Sequence, residues 1–449
     1  MVNERDLVLS MLLEIEKGNE FSHILIRQVL DKHEYLEGNQ KRFIKRLTEG
    51  TLERRLELDY IINLFSKITT GKMKPFIRNL LRMSVYQLFY MTQIPESAVC
   101  NEAVKLASLH KFSSLKGFIN GVLRNILRNK EQISYPDKEK DRAGWLEVKY
   151  SMPRWIVEHF LQSYSPEITE EICKGLLREC PVTVRIREDL AREEKENLLQ
   201  SWKEKGILYN THPYLPYAYT LEKVEGIPSL AGFYQGLFFV QDVSSMLVAE
   251  VAGIRENMEI MDLCAAPGGK ATHAALKLRG TGRVLAFDVT EYKVRMIEEN
   301  KERQGLKQLK TAVWDATVFD SEREEKADLV FCDVPCSGLG VMAKKPDIKY
   351  RVKKEELNQL VILQREILKN AVRYVKKGGT LIYSTCTINH EENENQVKWI
   401  TKELGMEVIS LKDSLPACLQ KDMDEWGLQL LPGIHQTDGF FVAKLKRSE

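Results

Sequence analysis

The sequence lacks the features that mark membrane and secreted proteins. No apolar run approaches the roughly 18 residues that a membrane-spanning helix needs. Residues 1–18 alternate charged and apolar side chains, unlike the hydrophobic core of a secretory signal peptide. From these two absences we expect a cytoplasmic protein that does not bind membranes.

Cysteine pairs at metal-binding spacing are also absent. The eight cysteines are scattered singly without a C-x-x-C pair, so neither a zinc ribbon nor a thioredoxin-type site is predicted and no metal is expected. Disulfides are rare in the reducing cytosol, where most thiols are buried small apolar side chains. We predict that role for Cys100, Cys173, Cys180, Cys332 and Cys418.

A large net charge is missing too, although the charge is unevenly distributed. The whole chain carries +2, whereas the first 140 residues hold 23 lysines and arginines against 17 acidic residues. A mildly basic front attached to a slightly acidic remainder is compatible with an RNA-docking domain that carries an enzyme. A solvated helical surface has the same composition, so charge alone does not separate the two interpretations.

The apolar pattern divides the 449 residues into three parts. Residues 1–128 repeat apolar side chains at helical spacing, punctuated by Pro75 and Pro95, which predicts an all-α bundle. A polar stretch over residues 129–145 predicts a linker. The predicted domains are 1–130, 145–232 and 233–449.

The middle part mixes helices with short strands and predicts a small α+β module. Its clearest strand is Val182–Arg187, in which Arg185 and Arg187 lie on one face. Arginines there are placed to meet phosphate, but we expect a plain solvated face.

After Phe238 short apolar strands alternate with longer amphipathic helices. This alternation predicts an α/β domain with a mostly parallel, doubly wound sheet and helices on both faces. Ligands bind such sheets beyond the carboxyl ends of the strands. The predicted strands are Glu259–Cys264, Arg283–Asp288, Thr311–Asp315, Asp328–Asp333 and Thr380–Thr385.

The first of these strands runs into a glycine-rich turn and then a helix. Glycines let a ligand approach the backbone closely, and the helix N-terminus offers free N–H groups and a positive dipole. Neither G-x-G-x-x-G nor the P-loop pattern is present, which disfavours dinucleotide and P-loop sites. A nucleotide-like cofactor is predicted at Cys264, Ala265, Ala266, Pro267, Gly268, Gly269 and Lys270.

Acidic residues close three successive strands. Asp288 is placed to accept the hydroxyls of a ribose, and Asp315 is placed to reach an adenine amino group. Each acid alone is equally well explained as a helix N-cap. Three of them at successive strand ends, with Asp333 as the third, favour a cofactor site.

Two adjacent strands each deliver a cysteine just past the carboxyl end, Cys336 and Cys386. Cytosine C5 is too poor a nucleophile to accept a methyl group unaided, whereas a thiolate added at C6 makes C5 enamine-like. A cationic cofactor nearby favours the thiolate, and Asp333 is placed to stabilise the cytosine ring. Methyltransferases of exocyclic amines place a stacking aromatic residue where this chain has Cys336, which disfavours that chemistry.

Three motifs resemble the signature of the RNA cytosine-C5 methyltransferases (the NOL/NOP2/Sun family): Cys264–Lys270, Asp333–Gly338 and Tyr383–Cys386. The resemblance implies a Rossmann-like domain that uses S-adenosylmethionine (SAM), with cofactor contacts from the Cys264–Lys270 turn, Asp288, Asp315 and Asp333. It implies Cys386 as nucleophile and Cys336 as the residue of product release. Val334 and Thr387 replace the usual Ala and Ser, which are nearly isosteric.

The front of the chain is similar to the NusB-like RNA-binding domain, carried by Ser97–Lys105 and Phe118–Arg124, and Lys345–Tyr350 resembles a loop of the bacterial RsmB subfamily. This combination implies methylation of a cytosine in small-subunit ribosomal RNA. We also expect a monomer that does not act on DNA. The same chemistry on transfer RNA and a non-catalytic RNA-binding factor are the alternatives. Asp438–Phe441 is interpreted as a hairpin turn rather than as part of the site.

Overall fold

The computed structural model describes residues 3–18, 20–224 and 226–449. The chain forms two compact units. The first comprises the described residues up to Leu177 together with Met342–Val352, and the second comprises Arg178–Val341 and Lys353–Glu449. Among the described helices, none combines the length and the apolar character that crossing a bilayer requires.

The first unit is helical, as the apolar spacing predicted. Asn3 caps the first helix by accepting hydrogen bonds from the N–H groups of Arg5 and Asp6, and Gly18 ends it with a φ of 81°. Pro75 opens the fifth helix, where its missing N–H leaves no bond unmade. The helices are α1 (Glu4–Lys17), α2 (Ser22–Lys32), α3 (Gly38–Glu53), α4 (Arg55–Phe65), α5 (Pro75–Tyr90), α6 (Glu96–Leu109), α7 (Lys116–Arg128), α8 (Arg142–Lys149), α9 (Arg154–Ser163) and α10 (Pro166–Gly175).

The core of this bundle is closely packed where α3 meets α5. Tyr86 is fully buried, and a Cβ added at Gly50 would lie 2.0 Å from the Cζ of its ring. Only glycine therefore fits at residue 50 without moving the helices apart.

Residues 129–145 are more ordered than their composition predicted. Helix α8 already begins at Arg142, so the linker prediction is wrong for the end of this stretch. The Tyr135 hydroxyl donates to the Glu57 carboxylate, and the Tyr135 ring stacks on that of Tyr60. A few aromatic contacts hold a segment that is otherwise polar.

The second unit begins with a small antiparallel sheet of order β2-β3-β1-β4, which is the predicted α+β module. Helix α11 (Arg192–Glu204) covers it and buries Trp202. The strands are β1 (Val182–Ile186), β2 (Leu208–Thr211), β3 (Ala218–Glu222) and β4 (Phe238–Val240).

The solvated face predicted for the two strand arginines is wrong for Arg185. Its side chain is 1% exposed and donates hydrogen bonds to the Gln241 side chain and the Gly269 carbonyl. Arg187 is partly exposed and pairs with Asp189 at 2.6 Å. Strand alternation fixes which residues share a face, whereas tertiary packing decides what covers that face.

The main sheet has the strand order β10-β12-β9-β8-β5-β6-β7, with β11 paired to β12. Strands β9, β8, β5, β6 and β7 are parallel, and β12 runs antiparallel to β9. The strands are β5 (Glu259–Asp262), β6 (Arg283–Asp288), β7 (Leu309–Val313), β8 (Ala327–Asp333), β9 (Val375–Thr385), β10 (Met406–Ile409), β11 (Leu428–Leu430) and β12 (Phe440–Arg447). The helices are α12 (Val243–Ala252), α13 (Gly269–Lys277), α14 (Glu291–Gln304), α15 (Ile348–Arg351), α16 (Leu357–Tyr374) and α17 (Glu394–Leu404).

This sheet confirms the predicted fold class, an α/β domain behind an all-α bundle and a small α+β module. The predicted third strand was placed two residues too late, so Asp315 lies beyond the end of β7 rather than on it. The antiparallel strands β10 and β12 were not predicted, because an apolar run carries no information about strand direction. The predicted domain bounds 1–130, 145–232 and 233–449 stay a prediction.

The Met342–Val352 segment, which contains α15, packs within the first unit. The Asp347 carboxylate accepts hydrogen bonds from the backbone and the hydroxyl of Ser22 at 3.0 and 2.7 Å. Lys349 donates to the Glu53 carbonyl at 2.8 Å, and burial lowers the pKa of its ammonium group to about 7. The chain thus leaves the second unit a few residues after Gly338 and returns at Lys353.

Candidate active site

The carboxyl ends of β8 and β9 bring two sulfur atoms together. Cys336 follows β8 by three residues and Cys386 follows β9 directly, because Asp333 pairs with Ser384 in the parallel ladder. The two Sγ atoms lie 3.3 Å apart. Both residues are half-buried.

The sulfur contact affects the ionisation of Cys336. The pKa of its thiol is raised well above the ordinary value, first by the hydrogen bond with Cys386 and then by burial. Cys336 therefore keeps its proton near neutral pH, and either sulfur can be the donor of the contact.

Asp333 stands at the end of β8 between two donors. Its Oδ2 accepts from Lys270 Nζ at 2.7 Å, and its Oδ1 accepts from the Ser384 hydroxyl at 2.7 Å. The Lys270 ammonium also lies over the Phe440 ring, 5.3 Å from its centroid. The carboxylate is thus held in one orientation, half-buried, beside the cysteine of the neighbouring strand.

The glycine-rich turn has the geometry of a ligand cradle. Gly268 has a φ of 102°, and a Cβ at this position would lie 3.2 Å from Ile297 of α14. Asn300 donates to the carbonyl of Pro267 at 2.9 Å, which fixes the turn from outside. Helix α13 begins at Gly269 with no side chain capping its N-terminus, so its first N–H groups are available to a ligand.

Asp262, the last residue of β5, was missed by the sequence analysis. It is fully buried, and neither carboxylate oxygen has a hydrogen-bond partner in the described structure. Burial raises the pKa of its carboxyl group to about 7, while Lys270 opposes that shift and Asp333 adds to it. An unsatisfied buried carboxylate beside the cradle fits a cationic or hydrogen-donating ligand.

The two acids predicted to hold a nucleoside lie in different settings. Asp288 is 4% exposed and accepts from the Ala266 N–H at 3.0 Å, and Lys293 Nζ lies 2.9 Å from its Oδ1. Asp315 is exposed and accepts from the N–H and hydroxyl of Thr317. Asp288 is therefore part of the cradle wall. Asp315 holds a local turn with Thr317, and since no helix begins there, the N-cap alternative is wrong for this residue.

Arg185 and Gln241 support the cradle from beneath and were also missed as site residues. Arg185 donates to the Gly269 carbonyl at 2.9 Å and to the Thr272 hydroxyl at 3.1 Å. Gln241 accepts from Arg185 at 2.6 Å and donates to Ser245. In the sequence, an arginine within a largely apolar strand was the feature that could have indicated a buried, hydrogen-bonded role for Arg185.

The Asp438–Phe441 segment ends the connection from β11 and begins β12, so its interpretation as a hairpin turn is wrong for Phe440 and Phe441. Leu430 pairs with Phe440 across the turn between β11 and β12. Gly439 donates to the Gly340 carbonyl at 2.9 Å, and Gly340 donates to the Cys386 carbonyl at 3.1 Å. This segment thus contacts the loop that follows Cys336.

The burial prediction holds for three of the five remaining cysteines. Cys100, Cys173 and Cys332 are buried. It is wrong for Cys180 and Cys418, which are exposed in the loop before β1 and in a short 3-10 helix. Irregular segments leave side chains at the surface whatever their polarity.

One group of side chains has the make-up of a metal site. The ligand atoms of Glu188, Glu250 and His273 lie within 4.8 Å of one another. Lys277 Nζ lies 3.2 Å from Glu188 and 2.7 Å from Glu250, so one ammonium group pairs with both carboxylates. The group is explained as an ion-pair cluster.

Three family models match the chain in sequence. The NusB family matches residues 2–128, an RsmF/B-like ferredoxin-like domain matches residues 152–227, and the 16S rRNA methyltransferase RsmB/F model matches residues 250–446. The probable ribosomal RNA small subunit methyltransferase B of Bacillus subtilis is 33% identical over 449 residues, which cover 99% of this chain and 98% of the relative. The chain belongs to the RsmB/F family of 16S rRNA methyltransferases. It is therefore an enzyme, and the predicted family and subfamily are confirmed.

Other relatives agree with this assignment. Ribosomal RNA small subunit methyltransferase B of Cronobacter sakazakii is 33% identical over 96% of this chain and 95% of its own length. The crystal structure of PH0851 has the same fold, with a TM-score of 0.80 at 24% identity, and covers 100% of this chain and 99% of its own. The match to NusB is confined to residues 2–128, so it does not favour a non-catalytic RNA-binding factor.

Proposed function

We propose that this enzyme transfers the methyl group of SAM to C5 of a cytosine in 16S rRNA through a covalent adduct. The observation that carries the proposal is the 3.3 Å contact between Cys336 and Cys386, at neighbouring strand ends beside Asp333. An amine methyltransferase has no use for two thiols at this place. Covalent catalysis requires one thiolate to attack the cytosine, and a second thiol beside it can assist the later release of that nucleophile.

The residues at the strand ends fit SAM. The cofactor carries a sulfonium cation and an adenosine, and the cradle offers the free N-terminus of α13, the buried Asp288 and the unsatisfied carboxylate of Asp262. We assign the cofactor to Cys264–Lys270, with Asp288, Asp315 and Asp333 completing the site. When bound, SAM supplies the methyl group. A related archaeal protein, NSun6 from Pyrococcus horikoshii, has been crystallised with SFG, at 23% identity, a TM-score of 0.55, and coverage of 65% of this chain and 97% of its own.

The chain's own residues then perform the covalent steps. The Cys386 thiolate adds to C6 of the cytosine, and the ring electrons move to C5, which takes the methyl group as the methyl–sulfur bond of SAM breaks and S-adenosylhomocysteine leaves. Asp333, held by Lys270 and Ser384, accepts a hydrogen bond from the cytosine amino group. A base then takes the C5 proton, the electrons of the C5–H bond re-form the C5–C6 double bond, and Cys386 leaves as a thiolate. We assign Cys336 to this release.

The substrate assignment rests on the relatives and on the N-terminal unit. The curated relatives are named for ribosomal RNA of the small subunit, and the NusB match covers the basic front of the chain. We propose that residues 1–130 dock RNA, that 145–232 form a second RNA-binding module, and that 233–449 carry the chemistry. The enzyme is proposed to act as a cytoplasmic monomer on RNA.

Bisulfite sequencing of total RNA tests the substrate. We expect one methylcytosine of 16S rRNA to disappear when the gene is deleted and to return with the wild-type gene, but not with Cys386→Ala. Cys180→Ala, which changes an exposed cysteine outside the site, is the matched control and restores the methylation. An unchanged 16S map would overturn the ribosomal assignment, and a loss confined to transfer RNA would replace it.

A further inference from the structure

Glu392 places a buried carboxylate beneath the two cysteine loops. The side chain is fully buried, and the hydrogen-bond partners of its carboxylate among the described residues are neutral groups. Its Oε2 accepts hydrogen bonds from the Ser337 N–H and the Gln364 amide, each at 2.9 Å. Its Oε1 accepts from the Asn389 amide at 2.9 Å. A buried charge held by neutral donors is costly and calls for an explanation.

The peptide groups on both sides of Cys336 depend on this carboxylate. The N–H that follows the cysteine, that of Ser337, donates directly to Glu392. The carbonyl that precedes it, that of Pro335, accepts from Gln364 at 3.0 Å, and the same Gln364 amide donates to Glu392. Glu392 and Gln364 together bracket Cys336.

Further bonds keep this bracket rigid. Gln396 donates to the Gln364 carbonyl oxygen at 2.8 Å, which fixes which end of the Gln364 amide faces Pro335. The Tyr383 hydroxyl donates to the backbone carbonyl of Glu392 at 2.5 Å. These side chains are fully buried, so water does not compete for the bonds.

The same network reaches the loop of Cys386. Asn389, three residues after Cys386, donates to Glu392, and the hydroxyls of Ser337 and Thr387 lie 2.7 Å apart. One carboxylate thus joins the segment after each cysteine, which is how the 3.3 Å sulfur contact is maintained.

We infer that Glu392 is a positioning residue for Cys336: with Gln364 it fixes the peptide groups that flank the cysteine and so sets the Cys336 sulfur against Cys386. The inference deepens the proposed function and rests on it for the role of Cys336 in release. Its negative charge also raises the pKa of the Cys336 thiol, behind the larger effects of the Cys386 contact and burial.

Glutamine at residue 392 keeps the size of the side chain but cannot hold the peptide groups that flank Cys336 as the carboxylate does. All three partners of the carboxylate are N–H donors, whereas an amide accepts at one end only. At least one donor then faces an NH₂ group, and the charge near Cys336 is gone. Glu391→Gln is the matched control, because Glu391 is the exposed neighbour.

The first test needs neither RNA nor cofactor. Alkylation of Cys336 by iodoacetamide is followed against pH by peptide mass spectrometry in the full-length wild type, Glu392→Gln and Glu391→Gln. We expect Glu392→Gln to move the midpoint for Cys336 to lower pH by about half a unit or more, with Glu391→Gln unchanged. An unshifted midpoint in Glu392→Gln would overturn the inference, whatever the substrate of the enzyme is.

The second test separates chemistry from release. In single-turnover assays with SAM and 16S rRNA, we expect Glu392→Gln to methylate within about threefold of wild type, while multiple turnover falls at least about tenfold and a protein–RNA adduct accumulates. Cys336→Ala is the benchmark for that adduct. An adduct with Cys336→Ala but none with Glu392→Gln overturns the inference alone, and no adduct with either variant overturns the proposed release step.

Gln364→Leu keeps the test informative if Glu392→Gln does not fold. It removes the bonds to the Pro335 carbonyl and to Glu392 but leaves the Glu392 charge in place. We expect adduct accumulation and a shift of the Cys336 alkylation midpoint to lower pH, because the contact with Cys386 raises the pKa of Cys336 most. Wild-type turnover in this variant would contradict the bracketing of Cys336.

Discussion

Among the described carboxylates, Asp262 alone is fully buried with no hydrogen bond to either oxygen. Replacing it by asparagine removes this ionisable group. The pKa of this carboxyl group is raised to about 7 by burial, against about 3.9 in an unfolded chain. Between these pH values the unfolded state loses the proton while the folded state keeps it, so stability falls as pH rises from 4 to 7. A shift of about 3 units corresponds to about 4 kcal/mol, lost in full above pH 7.

The asparagine is neutral at every pH, so Asp262→Asn abolishes this loss. In the cofactor-free protein at pH 8 we expect the variant to be more stable by up to about 4 kcal/mol, and at pH 4.5 to differ little from wild type. For a domain of this size that gain raises Tm by roughly 8 °C or more. Differential scanning fluorimetry of both proteins across this pH range measures it.

Asp413→Asn, at an exposed site of the same unit, is the matched control and should leave Tm unchanged at both pH values. Equal Tm values of wild type and Asp262→Asn at pH 8, or the same gain at both pH values, would refute the reasoning. We also expect Asp262→Asn to bind SAM more weakly in calorimetry. In the wild type the Asp262 carboxylate destabilises the empty site but attracts the cationic cofactor, and the variant lacks that attraction. The substitution is thus expected to increase the stability of the protein and to decrease its affinity for SAM.

Further consequences follow from the site geometry. Because the sulfurs of Cys336 and Cys386 lie 3.3 Å apart, a mild thiol oxidant should join them and abolish activity until a dithiol restores it, and peptide mapping that finds neither cysteine cross-linked would contradict the contact. Lys270→Met leaves Asp333 with one donor, so we expect at least about a hundredfold loss of kcat/KM, or about 3 kcal/mol, and wild-type kinetics would count against the pair. Arg185→Met removes the buried bonds to the cradle helix and should lower Tm and weaken SAM binding together, whereas a lowered Tm with unchanged binding would make Arg185 purely structural.

Much of the fold was readable from the sequence because it depends on local periodicity. Residues 1–128 are helical as the apolar spacing predicted, and the parallel strands β5, β6, β8 and β9 overlap the predicted ranges, although β9 begins five residues earlier. Strand β7 was shifted, and the antiparallel insertion of β12 between β9 and β10 was missed. Pairing partners and direction are properties of the assembled sheet, and no single segment encodes them.

The site was readable only where a strand end forces residues together. Cys336, Cys386 and Asp333 were predicted together because neighbouring parallel strands end at one edge. Asp262 and Glu392 were not, since each carboxylate acts through burial, and a charged residue in a sequence reads as solvated. Only the structure distinguishes a buried acid from an exposed one.

The membership of Met342–Val352 in the first unit was equally hidden. Its residues include three lysines and one arginine and give no helical periodicity of any length. The buried Lys349 and Asp347 find partners in helices far away in the chain. Long-range polar pairing of this kind has no signature at the level of local spacing.

The location of the covalent bond to RNA tests the central claim most directly. Cys336→Ala enzyme is incubated with SAM and 16S rRNA, the adduct is digested with nuclease and protease, and the modified peptide is mapped by mass spectrometry. We expect a nucleotide attached to Cys386 and no adduct when Cys386 is also replaced. A nucleotide on any other residue, or turnover by Cys386→Ala, would contradict that claim.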